Sequence, residues 1–385
     1  MAVWDELTGQ SEAIAIFAAA AAASTAGGSD DSSMTHSWLI TGPPGSGRSN
    51  LAFAFATALL SANPEGDEGV RKQVAARTHP DLAVLSTDRV IISIEEVRTL
   101  VATSQYSPSV GRYRVVIIED ADRMTERTSN VLLKALEEPP PRTVWILCAP
   151  SEADLIPTIR SRVRTVQLRV PAVGDVAELI HRRDGVDLAS ATRAAREAQS
   201  HIGMAHRLAT NAEARDRRER TLQLALGIRS VSGAVLAAAT LLQLATDDAK
   251  AITEERDAEE REGTLRSLGI EPGGTIPPAL RAQLKNLEDD QKRRATRSLR
   301  DGIDRILVDL LSLYRDVLLI QLGVQGELIN LSIERQLVAA STEATAPQTL
   351  KTMDAIATAR TRIAGNVAPA LALEAMLVSA VRVAA

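Results

Sequence analysis

Through the first 170 residues, short apolar runs bounded by turn residues alternate with segments of helical periodicity. Trp38–Thr41, Leu82–Leu85, Gly111–Ile118, Val144–Ala149 and Val163–Leu168 read as strands. The run ending at Ile118 is too apolar for a half-exposed strand and suits a central parallel one covered on both faces. Helices are predicted over Ala13–Ala23 with Ser11 as N-cap, from Arg48 through Leu51–Leu60, over Ser93–Gln105 with Ser93 and Glu96 as a capping box, over Asn130–Glu138, and over Leu155–Arg160. Pro139-Pro140-Pro141 stops the fourth of these. Ser61–Gly69 and Gly27–Ser33 read as loops. Strand–helix alternation at this spacing predicts βαβ units and a parallel sheet, closed at Pro171.

Beyond residue 171 no strand is predicted. Val173–Thr210 reads as a small helical module, and the remainder as helices. Leu280, Leu284 and Leu287 form one helical stripe; Ile303, Ile306, Leu310, Tyr314 and Val317 form another, read as core. Asp247–Arg266 is densely charged and reads as a solvated helix face or connector, followed by a breaker cluster from Gly269 to Pro278. The expected domains are therefore 1–170, 171–210 and 211–385, with a charged insertion at about 245–300.

Composition narrows the class. With 385 residues, 45% apolar and 24% charged, the chain can build about two or three ordinary globular domains. Aromatics are only 2%, which with abundant Ala and Leu favours helix. A net charge of −5 means that any surface for nucleic acid must be local. Cys148 is the single cysteine, so a disulfide within the chain and a thiolate zinc cluster are both excluded; its apolar run makes it a buried strand residue. Ala13–Ala23 follows an acidic pair and is too short to span a bilayer, so the expected location is cytoplasmic, with no membrane partner.

The densest chemistry lies at Gly42-Pro-Pro-Gly45-Ser-Gly47-Arg48-Ser49. This is the spacing of a phosphate-binding P-loop, in which glycines aim backbone N–H groups inward at the start of a helix. Arg48 stands where the motif requires Lys. With Val115–Asp120, Leu132-Leu-Lys-Ala-Leu-Glu-Glu-Pro-Pro140 and Ser161-Arg162, the chain resembles the AAA+ subunits of the bacterial DNA polymerase III clamp loader. Asn366–Glu374 is similar to the last collar helix of the delta-prime group within them. The resemblance is dense over 1–170 and thin over 210–360. It implies an α/β AAA+ P-loop domain, a small helical lid and an all-α collar. It further implies a hetero-pentameric ring with tau/gamma motor and delta subunits, which places a sliding clamp on primer–template DNA.

Within that resemblance the catalytic parts depart one by one. Arg48 replaces the Lys that meets the β- and γ-phosphates, and a forked guanidinium is no substitute for a compact ammonium. The Walker B pair is reversed to Glu119-Asp120, the phosphate-sensing position falls at Ala149-Pro150, and the lid's sensing Arg aligns with Gly203, with Arg207 about a turn away. The expectation is no ATP hydrolysis, no required cofactor, and at most weak ATP or ADP binding through Gly42, Gly45, Gly47, Arg48 and Ser49. The zinc module of the relatives has no counterpart in Ser61–Arg77, which holds neither Cys nor His, so no zinc is expected. Ser161-Arg162, in contrast, is intact, and the resemblance implies an arginine finger acting on the adjacent subunit, in a non-catalytic stator. The alternatives are an active tau/gamma-type motor, against which the degraded site and the lack of a polymerase-tethering C-terminal extension argue, and an unrelated P-loop regulator.

Overall fold

Every residue of the three inner strands is buried, which is why their sequences show no polar alternation. In the computed structural model, which describes residues 3–4, 7–26, 34–87, 91–267 and 281–381, β1 (Ser37–Thr41), β2 (Leu82–Leu85), β3 (Arg114–Ile118), β4 (Thr143–Ala149) and β5 (Arg164–Gln167) form one parallel sheet. The order is β2-β3-β4-β1-β5, so the two partly exposed strands are the two edges.

Side chains on the two sheet faces build two cores. Trp38 and Ile40 point to one side, where α1 (Ser11–Ala26) and α2 (Arg48–Leu60) cover them. Phe17, Trp38 and Phe55 meet there with ring centroids 4.6 to 5.6 Å apart. Leu39, Val116 and Trp145 point to the other side, beneath α4 (Ile94–Ser104), α5 (Glu126–Glu137) and α6 (Pro157–Arg160). Between α2 and β2 lies α3 (Glu68–Ala75). Three further helices follow the sheet: α7 (Val173–Asp184), α8 (Leu188–Glu197) and α9 (Ile202–Thr210). The chain divides into a unit of residues 1–210, which includes this module, and a unit of residues 211–385.

Several predicted boundaries move. Ser11 is the first helical residue of α1, not its cap. Gly69 lies inside α3, so the expected loop over Ser61–Gly69 gives way to a two-turn helix. α5 starts four residues earlier than Asn130 because Thr125 caps it, its hydroxyl accepting the Thr128 N–H at 3.3 Å. α6 starts only at Pro157, the first helical position that proline favours. The capping box of α4 is present in both arms. The stretch 27–33 and the breaker cluster 269–278 lie outside the described residues.

β3 begins at Arg114, not Gly111, because the residues before it wrap around Asp81. The buried Asp81 carboxylate accepts the N–H groups of Ser109, Val110 and Gly111 at 2.6, 2.7 and 2.6 Å, and the Ser109 hydroxyl at 2.9 Å. Arg114 adds an ion pair at 3.3 Å. Burial alone would raise this carboxyl; the backbone N–H groups and the Ser109 hydroxyl outweigh it and hold the group at about 2. His79 accepts the Asp81 N–H through Nδ1 at 3.1 Å, and burial lowers its pKa. Thr78-His79-Pro80-Asp81 thus anchors the start of the sheet.

The second unit is helical: α10 (Ala212–Leu226), α11 (Val231–Ser267), α12 (Arg281–Gln321), α13 (Glu334–Glu343), α14 (Ala346–Ala364) and α15 (Pro369–Ser379). Among the described residues no strand follows Gln167. The stripe from Ile303 to Val317 lies in its core, as its periodicity predicts. Of the other stripe, Leu287 is half-buried, while Leu280 and the Leu284 side chain lie outside the described residues. The charged segment is not a simple solvated face. Arg294 on α12 is buried and pairs with Glu260 and with Asp257, the latter at 3.0 Å; Gln291 donates to the Asp257 carbonyl at 2.9 Å. Charges there cross-link two helices. No helix among the described residues is long and apolar enough to cross a membrane.

Candidate functional site

β1 delivers the chain to Gly42 and α2 carries it away from Arg48. Between them Gly45 and Gly47 take φ of 81° and 94°, left-handed values that a side chain would resist. The Gly42 N–H donates to the Pro150 carbonyl at the end of β4, 3.2 Å away. Buried Gln10 staples the loop from outside: its amide donates to the carbonyls of Ser46 (3.3 Å) and Arg169 (2.8 Å). Two polar atoms in the loop are buried without a hydrogen-bond partner, Ser46 Oγ and Arg48 Nη1. Unpaired buried donors at a helix N-terminus are suited to an anion.

The helical module sits on this loop. The Ile202 N–H donates to the Gly45 carbonyl at 3.3 Å. The His201 ring lies so close that a Cβ on Gly45 would stand 2.3 Å from its Cγ. His201 also receives the Met204 N–H on Nδ1 at 3.2 Å, at the start of α9. Gly203 faces the same ring and brings no charge.

The carboxylates after β3 are turned to other tasks. Glu119 is engaged by Arg77, Nη2 to Oε2 2.7 Å, and the Arg77 guanidinium also stacks on Phe53. Asp120 lies 3.9 Å from Arg123. Asp122, half-buried, has its pKa raised by burial; its own backbone N–H opposes this, Asp120 raises it further, and Arg123 and Arg48 lower it. Arg77, Asp122 and His201 were not singled out in the sequence. The only hints were position: Arg77 directly precedes Thr-His-Pro-Asp, Asp122 follows the reversed pair, and His201 adjoins the degenerate sensor. Ala149 offers no polar side chain, and the Pro150 carbonyl is taken by the loop. The residues present therefore offer unpaired polar atoms suited to an anion, while Glu119 is held by Arg77. Among the described residues no group of His, Cys, Asp or Glu is arranged to hold a metal ion. Cys148 is wholly buried in β4, and burial pushes its thiol up to about 12.

Ser161 and Arg162 lie apart from this, in the turn from α6 into edge strand β5. Arg162 Nε donates to Glu137 Oε1 at 2.6 Å, and Nη2 pairs with the same carboxylate. Nη1 donates to the Thr158 carbonyl at 2.7 Å and to Ser161 Oγ at 3.1 Å. The neighbouring Arg164 instead stacks on Trp38, 5.1 Å from the ring centroid. None of the Arg162 contacts involves a P-loop residue, so the predicted site residues divide between two separate places.

Both places fall within the stretch that known proteins match. Residues 23–172 match the family described as DNA polymerase III, delta subunit. The DNA polymerase III subunit delta' of Pseudomonas aeruginosa is 36% identical over 151 residues, covering 37% of this chain and 45% of that protein. The subunit delta' of Escherichia coli is 32% identical over 143 residues, covering 35% and 43%. The subunit gamma/tau of Mycobacterium tuberculosis is 30% identical over 143 residues, covering 36% and 25%. The matched stretch thus spans less than half the length of each of these relatives. A DNA polymerase III gamma subunit-related protein from Thermotoga maritima aligns at 18% identity and a TM-score of 0.41, over 89% of this chain and 92% of its own.

Proposed function

We propose, from the premise that residues 23–172 are a domain of the DNA polymerase III delta family, that this chain is the delta-prime-like stator of a clamp loader. In this reading it hydrolyses no ATP itself, donates Arg162 to the ATP site of an adjacent motor subunit, and joins motor and delta subunits in a five-membered ring. The ring loads a sliding clamp on primed DNA. The observation that carries it is the commitment of Glu119 to Arg77: the carboxylate at the first position of the reversed Walker B pair already neutralises a cation of its own chain. The unpaired Ser46 Oγ and Arg48 Nη1 are groups a phosphate could engage, so in this reading a nucleotide is held without being turned over.

The similarity to gamma/tau over 143 residues favours a second reading, an active motor subunit. ATP turnover by the purified chain separates the two. Background turnover alone, with stimulation of added motor subunits, is the stator outcome. Intrinsic turnover that disappears in Ser49→Ala is the motor outcome.

A further inference from the structure

Glu137 occupies the last turn of α5, where a negative charge meets the negative end of the helix. An acid is poorly placed there unless a cation joins it, and the cation is Arg162, 25 residues later and on a different element. We propose that Glu137 is a positioning residue that parks the Arg162 guanidinium in the free chain and yields it when an adjacent subunit presents a nucleotide phosphate. This rests on the arginine-finger reading of Arg162.

The donor count makes the case. A guanidinium has five N–H donors. Nε is spent on Glu137, Nη1 on the Thr158 carbonyl and Ser161 Oγ, and Nη2 pairs with Glu137 again. One Nη2 donor remains, while fork-like recognition of a phosphate needs two. Thr158 and Ser161 belong to the same short helix and turn as Arg162, so those bonds can travel with it. Glu137 does not travel with it. Its carboxylate is the partner that must be left behind, and it covers the Nε–Nη2 edge, which is one of the two edges a phosphate can grip. Pro139, two residues on, stops α5 and fixes where Glu137 stands.

The hold is weak enough to release. The two side chains are 31% and 46% exposed, so water and salt screen the pair. An exposed pair of this kind biases an equilibrium by about two- to five-fold. A bound triphosphate with its metal, in the enclosed site of a neighbour, competes well against that.

The test uses the complete reconstituted loader with clamp and primed DNA below saturation. Glu137→Gln is expected to raise hydrolysis at the one ATP site facing Arg162 by about two- to five-fold, and total stimulated turnover by a smaller factor, because the neutral amide holds the guanidinium less firmly. The gain should vanish in the Glu137→Gln, Arg162→Ala double variant, and should shrink as salt rises, since salt loosens the same pair in the parent. Glu137→Asp, which keeps the charge but withdraws it by one methylene, should show a gain of the same sign and serves if the Gln variant assembles poorly. An unchanged or reduced rate in both Glu137 variants, with Arg162→Ala still lowering the rate, overturns the parking role and leaves the finger reading standing. An unchanged rate in Arg162→Ala removes the finger reading, and the parking role with it.

Discussion

Arg48 and Arg162 are the same side chain in opposite circumstances. Arg48 lies in a glycine cradle with one terminal nitrogen buried and unpaired. Arg162 lies at the sheet's edge, a third exposed, with every nitrogen bonded. The first has the glycine turn and helix start of a P-loop, beside a Glu119 already paired with Arg77. The second lies in the turn from α6 into β5, held by Glu137, Thr158 and Ser161. The strand, the tight turn and the helix are needed to pack the sheet whether or not anything is hydrolysed. In the proposed function the two regions share one task, with the triphosphate bound by one subunit and its developing charge met by another.

The widest separation between the two regions is expected from Arg162→Ala. At the one ATP site facing it, hydrolysis should fall by about 10³- to 10⁵-fold, the usual worth of such a finger. Total loader turnover, measured with saturating clamp and DNA, should fall by a fraction, and Arg162→Lys should recover little of it. An unchanged total would merge the two arginines into one class of surface residue.

Next in size is Asp81→Asn, which tests whether one rigid sheet holds both regions. The folded-state value of about 2 lies below the ordinary 3.8, so the carboxylate's contribution is full above about pH 5 and lost as pH falls towards 2. The variant should lose about 2 kcal/mol at neutral pH, the free-energy equivalent of the shift. Urea unfolding at pH 7 and pH 3 should show the gap between the two proteins narrowing at the lower pH. A constant gap would assign the loss to shape alone.

A smaller effect is expected from Arg77→Ala. Its partner Glu119 is 11% exposed and Arg77 46%, so the loss should be below about 1 kcal/mol and read as a small drop in melting temperature. The smallest is a null. Arg48→Lys, alone or with Arg77→Ala, should leave ATP turnover of the isolated chain at background, because the carboxylate order and Pro150 remain. Turnover in the double variant would mean that two cations alone silence the cradle, and would end the contrast drawn between the regions.

Much of the first unit was legible because apolar runs and turn residues report burial directly. β2 is found at its predicted ends, and the capping box at Ser93 and Glu96 forms as its spacing requires. What stayed hidden depends on residues distant in the chain. α3 is a short, polar helix whose apolar signal is only two valines a turn apart, Val70 and Val74. That Glu119 would be neutralised by Arg77, or Gly45 covered by His201, follows from packing that no local pattern encodes. The last helix is a sharper case. Leu371, Leu373, Met376 and Leu377 read as one apolar face, part of it set against other subunits; Leu373, Met376 and Leu377 are buried in their own unit, and Leu371 is 62% exposed. Removing α15 would therefore damage the unit's own core, and the exposed Leu371 and Val378 are left to probe assembly through this helix.

The isolation of Cys148 gives the experimenter an advantage. As the only cysteine, wholly enclosed in β4 and with a thiol that stays protonated at working pH, it presents no thiolate to alkylating dyes. A cysteine introduced at Leu371 would then be the single position labelled by a maleimide, with the parent sequence otherwise untouched. Fluorescence anisotropy of that label could follow ring assembly in real time, without first engineering a cysteine-free background.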